Sequence, residues 1–234
     1  MTPTNATPAD VLAGAARWCV VEGDCADVLR SLPDGGVDAV VSDPPYGVEW
    51  RGEAWDSEIP PPSILDDCLR VARGGVLWFG AAKRVLDFAR YSPAPDRILA
   101  WAPPFTLSGA RSHGMHFHWD VIAAWRAKAR KGGPVFADVL RHARARSKDA
   151  WWEHGCTKPV PLMRDLVDAF ASPGDVVLDP FAGSGTTGVA ALAEGRRVIL
   201  CERVPEYAAI ARARCEAAAQ SAPQLALLPV AEAV

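Results

Sequence analysis

The sequence predicts an α/β fold, a doubly wound and mostly parallel sheet covered by helices on both faces. Short, near-continuous apolar runs alternate with helical stretches along most of the 234 residues, and strands of that kind are buried on both sides. Two sharp turns follow such runs, at Asp43-Pro44-Pro45-Tyr46-Gly47 and at Pro180-Phe181-Ala182-Gly183-Ser184-Gly185. Carboxyl ends of parallel strands are where ligands collect in these sheets. No repeat of solenoid period offers a competing architecture.

Taken in order, residues 18–22 read as a strand, 25–32 as a helix and 37–42 as an apolar strand ending at Asp43. A helix over 63–72, a strand over 76–79, a helix over 81–91 and strands over 98–101 and 121–125 follow. Residues 175–179 form a strand that runs into the glycine turn and a helix from Thr186 to about Glu194. A strand over 197–201 and a helix over 205–219 complete the pattern. The whole reads as one domain, with Ala- and Pro-rich tails over 1–14 and 220–234 expected to be flexible.

Half of the residues are hydrophobic, enough to bury a full core. No apolar run approaches the ~20 residues that span a bilayer, and residues 1–10 lack a basic-then-apolar leader. The six cysteines show no CxxC spacing and read as thiols of a reducing cytosol. A net charge of −3 conceals an asymmetry, because residues 108–150 carry nine Lys/Arg against three Asp. A basic block on an acidic body suits a polyanion-binding face, although a solvated helix surface would look the same.

At the glycine turn, Gly183 and Gly185 allow a tight bend and close ligand approach, and free N–H groups open the following helix. Glu202 ends the next strand, where a carboxylate can accept both hydroxyls of a ribose. No Gly-Lys-Ser/Thr follows, so a nucleoside-type ligand fits better than a cradled phosphate. The earlier turn is sharper still. Pro44 and Pro45 stiffen the chain, so the Asp43 carboxylate and the Pro44 carbonyl form a rigid pair of acceptors. An exocyclic –NH2 can donate one N–H to each, which draws its lone pair out of conjugation and aims it at an electrophile. Tyr46 adds an aromatic face for stacking a base.

With these residues in place, the sequence resembles the amino-methyltransferases of DNA, in the group whose DPPY motif precedes the FxGxG motif. Asp43-Pro44-Pro45-Tyr46 and Phe181, Gly183 and Gly185 carry the match, together with Gly23-Asp24, His154 and Lys158-Pro159. The resemblance spans most of residues 18–218. It implies a Rossmann-like, seven-stranded sheet with circularly permuted motif order, S-adenosylmethionine as cofactor and double-stranded DNA as substrate. It implies a catalytic loop of Asp43, Pro44, Pro45 and Tyr46. The cofactor site it implies comprises Asp24, Cys25, Lys158, Asp179, Phe181, Gly183, Gly185, Thr186, Glu202 and Arg203, with no metal. Adenine N6 is the expected acceptor, since N4-cytosine relatives more often carry Ser at the Asp43 position. RNA or protein-glutamine relatives usually carry Asn there. A non-catalytic DNA-binding module on the same scaffold is the remaining alternative.

The basic middle reads as a target-recognition insertion, with Arg111, Arg126, Lys128, Arg130, Lys131, Arg141, Arg144, Arg146 and Lys148 facing DNA. His113, His116 and His118 invite a zinc reading, but no fourth ligand lies at the usual spacing. Trp151 and Trp152 could wedge a duplex but fit a core better. A cytoplasmic, bacterial or phage-encoded enzyme is expected, with a homodimer as a further state to test. Gln224-Leu225-Ala226-Leu227-Leu228 resembles the peptide that docks bacterial DNA-acting proteins on the sliding clamp, against the alternative that these leucines cover the chain's own surface.

Overall fold

The computed structural model describes residues 6–47, 56–104, 119–131, 137–145 and 157–221. Its centre is a sheet in the order β1-β8-β7-β2-β3-β5-β4-β6. The strands are β1 (Trp18–Glu22), β2 (Ala39–Ser42), β3 (Val76–Ala81), β4 (Arg97–Trp101), β5 (Asp120–Trp125), β6 (Val139–Leu140), β7 (Val176–Asp179) and β8 (Arg197–Glu202). Among the described residues eight strands replace the seven expected; the two-residue β6, at the edge beside β4, is too short to leave a periodic signal. All pairings are parallel except those of β5, which runs antiparallel between β3 and β4.

Alternation along the strands divides the core. Val40, Val76, Trp78, Leu178 and Ile199 pack with helices α2 (Cys25–Ser31) and α3 (Pro62–Val71) on one face. Val41, Leu77, Phe79, Val177 and Leu200 pack on the other with α4 (Val160–Phe170), α5 (Thr186–Ala193) and α6 (Pro205–Ser221). Asp24 caps α2 by accepting from the Ala26 N–H at 2.8 Å, and prolines open α3 and α4.

Two further local expectations change. The segment expected as a helix over 81–91 is a 3₁₀ helix, Ala82–Arg90. Its apolar residues Ala82, Val85 and Phe88, continued by Tyr91, recur every three positions, which is the period of a 3₁₀ turn. Within the expected amino-terminal tail lies α1 (Pro8–Leu12), closed by a Thr7/Asp10 capping box and anchored by the fully buried Val11. The expected carboxyl-terminal tail lies outside the described residues, apart from Gln220 and Ser221 in α6.

β2 and β7 are neighbours, yet the chain continues from β2 toward β3 and from β7 toward β8. This is the topological switch of a doubly wound sheet, where a crevice opens beyond the strand ends. Both distinctive turns emerge there.

Candidate active site

A cavity of about 390 Å³ occupies that crevice. Asp24 and Cys25 border it from the start of α2, and Asp43 and Pro45 from the turn after β2. Asp179, Phe181, Gly183 and Thr186 come from the turn after β7, Glu202 and Arg203 from the end of β8, and Lys158 from the approach to α4. Residues expected to act together, up to 179 positions apart from Asp24 to Arg203, therefore surround one space. Pro44 and Tyr46 face instead a smaller cavity of about 40 Å³ behind the same loop, walled by Trp78, Phe79 and Phe88.

Buried hydrogen bonds hold the two turns in register. Asp179 accepts from Ser42 Oγ at 2.7 Å, from the Phe181 N–H at 3.0 Å and from Thr187 Oγ1 at 2.5 Å. It ties β2, β7 and α5 together at the switch point. Burial pushes its carboxyl up to about 6, against the opposing pull of those three donors. Glu202 accepts from the Gly183 N–H at 2.8 Å and the Val204 N–H at 2.9 Å. Each of its oxygens keeps a second lone pair for a ligand hydroxyl, and burial raises its carboxyl above the usual range. Burial likewise pushes the Cys25 thiol up to about 12, which keeps it a neutral wall of the cavity.

The Asp43 carboxylate is engaged on both oxygens. Lys158 Nζ donates to Oδ2 at 2.6 Å and the Tyr46 hydroxyl donates to Oδ1 at 2.6 Å. The Lys158 side chain is only 9% exposed, and its ammonium lies 5.1 Å from the Tyr46 ring centroid, 5.2 Å from that of Phe79 and 5.8 Å from that of Trp101. Rings at these distances attract a cation through their faces. The sequence-based expectation placed Lys158 with the cofactor; the structure brings it to Asp43 while leaving it on the cavity wall. The loop itself is braced by Asp56, which accepts from the N–H groups of Tyr46 at 2.5 Å and Gly47 at 3.1 Å, and by Arg84, which donates to the Gly47 carbonyl at 3.3 Å.

Gly185 departs from its expected role. It does not line the cavity; at φ +81° it turns the chain into α5, and a Cβ built on it would lie 2.8 Å from the Ala211 Cβ of α6. Close helix packing and a left-handed backbone require the glycine, not ligand approach. Arg214 of α6, buried, braces the same turn by donating to the Ser184 carbonyl at 2.8 Å and to Thr186 Oγ1 at 3.1 Å.

The basic middle is not one surface. Among the described residues, its two basic runs, 126–131 and 141–144, lie at opposite ends of the sheet, because the chain leaves β5 at the end away from the cavity and returns through β6. Arg126, Lys128, Arg130 and Lys131 follow Trp125, which pairs with Val76 at the amino end of β3, away from the cavity. Two of them are tied down there: Arg126 donates to the Ala72 carbonyl, and Arg130 to Asp168 of α4 at 2.8 Å. Arg141 and Arg144 follow β6 at the cavity end, where the Arg144 guanidinium lies 4.9 Å from the Trp101 ring centroid. Arg111, Arg146, Lys148, the three histidines at 113, 116 and 118, Trp151, Trp152, His154, Cys156 and the 224–228 peptide lie outside the described residues. Among the described residues no cluster of metal-ligating side chains occurs, and no helix is long and apolar enough to cross a membrane.

The chain is similar to known proteins in sequence and in fold. Residues 108–213 match a DNA methylase family, that of N6 and N4 methyltransferases. YubD, a methylase of Escherichia coli K12, is 32% identical over 202 residues, covering 80% of this chain and 85% of its own. YhdJ, a DNA adenine methyltransferase of the same organism, is 28% identical over 88% of this chain and 86% of its own. Among solved structures, M1.HpyAVI in complex with S-adenosylmethionine superposes with a TM-score of 0.66 at 21% identity, covering 84% of this chain and 99% of that one. The cytosine-N4-specific PvuII DNA methyltransferase gives 0.66 at 18% identity, covering 85% and 86%.

Proposed function

Since the chain belongs to the family of DNA amino-methyltransferases, we propose that it methylates N6 of adenine in double-stranded DNA, with Asp43 and Pro44 holding the amino group. The observation that carries this reading is the rigid Asp43-Pro44-Pro45-Tyr46 loop at the switch point, its carboxylate on the wall of a cavity that Glu202 closes at the far side. S-adenosylmethionine is the methyl donor, and it supplies an electrophilic methyl group on a cationic sulfur. The cavity suits that group: Asp24 and Glu202 offer acceptors for a nucleoside, Phe181 an aromatic wall, and Asp43 a carboxylate for a cation.

The chain's residues act by placement. Asp43 and the Pro44 carbonyl accept the two amino hydrogens and orient the nitrogen lone pair. Tyr46 fixes the carboxylate through its hydroxyl. Orientation within a water-poor site supplies most of the rate, and the surplus proton of the methylated nitrogen leaves to solvent. YhdJ, named as an adenine enzyme, and Asp rather than Ser at position 43 support adenine. The test is to methylate DNA with labelled donor, digest it to nucleosides and identify the product by mass spectrometry. N6-methyladenine is expected. N4-methylcytosine alone would overturn the base assignment, and no methylated nucleoside would overturn the enzymatic reading.

The DNA face of this proposal is the cavity end of the sheet. Arg141→Ala with Arg144→Ala should weaken DNA binding and reduce the salt slope by about one to two. Lys128→Ala with Lys131→Ala, at the opposite end, should leave both unchanged. Filter binding across a salt series reads both pairs, and a loss confined to the second pair would move the DNA face to the other end of the sheet.

A further inference from the structure

One half-buried carboxylate beside the site has no part in this scheme. Asp120, the first residue of β5, lies 4.0 Å from the Lys158 ammonium through Oδ2. It pairs across the sheet with Ala81 on β3 and Trp101 on β4, so no side-chain charge reaches it from its two strand neighbours. The charged groups that do act on it are Lys158 and Arg144, which favour its ionised form, and Asp43, which opposes it. Lys158 thus stands between two carboxylates, within a wall of three aromatic rings.

We propose that Asp120 is a positioning residue of the methyl-transfer site, holding the Lys158 ammonium against Asp43 and giving the three-group array a net negative charge. The inference rests on the reading of Asp43 as the group at the reacting amine. A lysine facing Asp43 alone would cancel its charge, leaving the site neutral where a cation must form. During transfer the nitrogen lone pair makes the new N–CH3 bond as the S–CH3 bond breaks, so the positive charge passes to nitrogen until a proton leaves to solvent. An array with one surplus negative charge stabilises that cation where the partly buried groups are only weakly screened by water. Asp120 also helps keep the lysine in place: at 4.0 Å it is too far for a hydrogen bond, but its charge still attracts the ammonium that donates to Asp43.

Burial raises the Asp120 carboxyl above its ordinary range. Since the charged form is the working form, turnover should rise with pH through that raised value and fall as the carboxyl protonates below it. The experiment measures kcat and KM between pH 5 and 9, with saturating S-adenosylmethionine and an oligonucleotide duplex, beside thermal melts. D120N should lower kcat about 10- to 100-fold, leave KM for DNA within about threefold, and lose the acid limb attributable to Asp120. D120E should recover part of the turnover with an acid limb at higher pH, in keeping with its higher intrinsic value. D120N turnover within threefold of wild type would overturn the proposal, as would a loss of turnover with an unmoved acid limb, the mark of a merely structural role. Should D120N fail to fold, an unshifted limb in D120E overturns it equally. An active D120N beside an inactive D43N sinks the positioning role alone, whereas activity in both sinks the reading of Asp43.

Discussion

Asp43→Asn is expected to reduce methyl transfer at least ~100-fold, the scale seen when one preorganised partner of a developing charge is removed. Cofactor affinity, read by calorimetry, should stay within about tenfold, because the lost acceptor serves mainly the transition state. The same change strands Lys158, whose ammonium is 2.6 Å from Asp43 and largely shielded from water. Removing one member of such a pair leaves an uncompensated charge, and a lowered melting temperature should accompany the inactivity. The double variant Asp43→Asn/Lys158→Met separates the two effects: stability should recover while turnover stays lost. Turnover above a tenth of wild type in the single variant, at saturating DNA, would remove Asp43 from the reaction.

Gly185→Val is expected to be the most damaging change to the fold. A side chain at φ +81° is strained, and its Cβ would meet the Ala211 Cβ at 2.8 Å and the Ala211 Cα at 2.9 Å. Neither atom can swing aside, since one belongs to the α6 backbone and the other is fixed to it. Strain of about 1–3 kcal/mol and overpacking of a similar ~1–3 kcal/mol add to a loss that urea denaturation would read as a large drop in midpoint. Gly185→Ala should show a milder version, partly relieved by Ala211→Gly. Absence of any such relief, with wild-type stability and lost cofactor binding, would return the glycine to the role of clearing space for a ligand.

That reversal shows what a linear reading can and cannot see. Asp43 and Glu202 stood out because each terminates an apolar run, and an acidic residue at the carboxyl end of a parallel strand is visible without coordinates; Asp179 came in only through the family resemblance. Their convergence on one cavity follows from the doubly wound topology. Asp56 and Arg214 left no such mark: one sits beyond a loop, the other on a helix where it resembles any exposed arginine. Each acquires its role through a backbone group of a distant turn. The basic middle misled for a related reason. Charge was summed over neighbours in sequence, but β6 lies between the two basic runs and brings the second back to the cavity end of the sheet. Gly185 carried two explanations for one residue type, and only the position of α6 distinguishes them. The 3₁₀ helix was legible after all, in a spacing of three at Ala82, Val85 and Phe88 that a search for 3.6 passes over.

The pairing of β1 has a consequence for how the molecule comes into being. Among the described residues its sheet partner is β8, with Trp18 beside Val198 and Glu22 beside Glu202. The Asp43-Pro44-Pro45-Tyr46 loop likewise waits for β7, whose Asp179 receives the Ser42 hydroxyl across 137 positions. A nascent chain emerging from the ribosome thus carries β1 without its partner until β8 has been made, and β2 without one of its two neighbours until β7 has. Loop closure over such spans is costly and slow. Assembly of the cavity is therefore a late event that joins segments far apart in the chain, and a polypeptide interrupted before β8 would carry the DPPY loop beside a pocket that lacks Glu202.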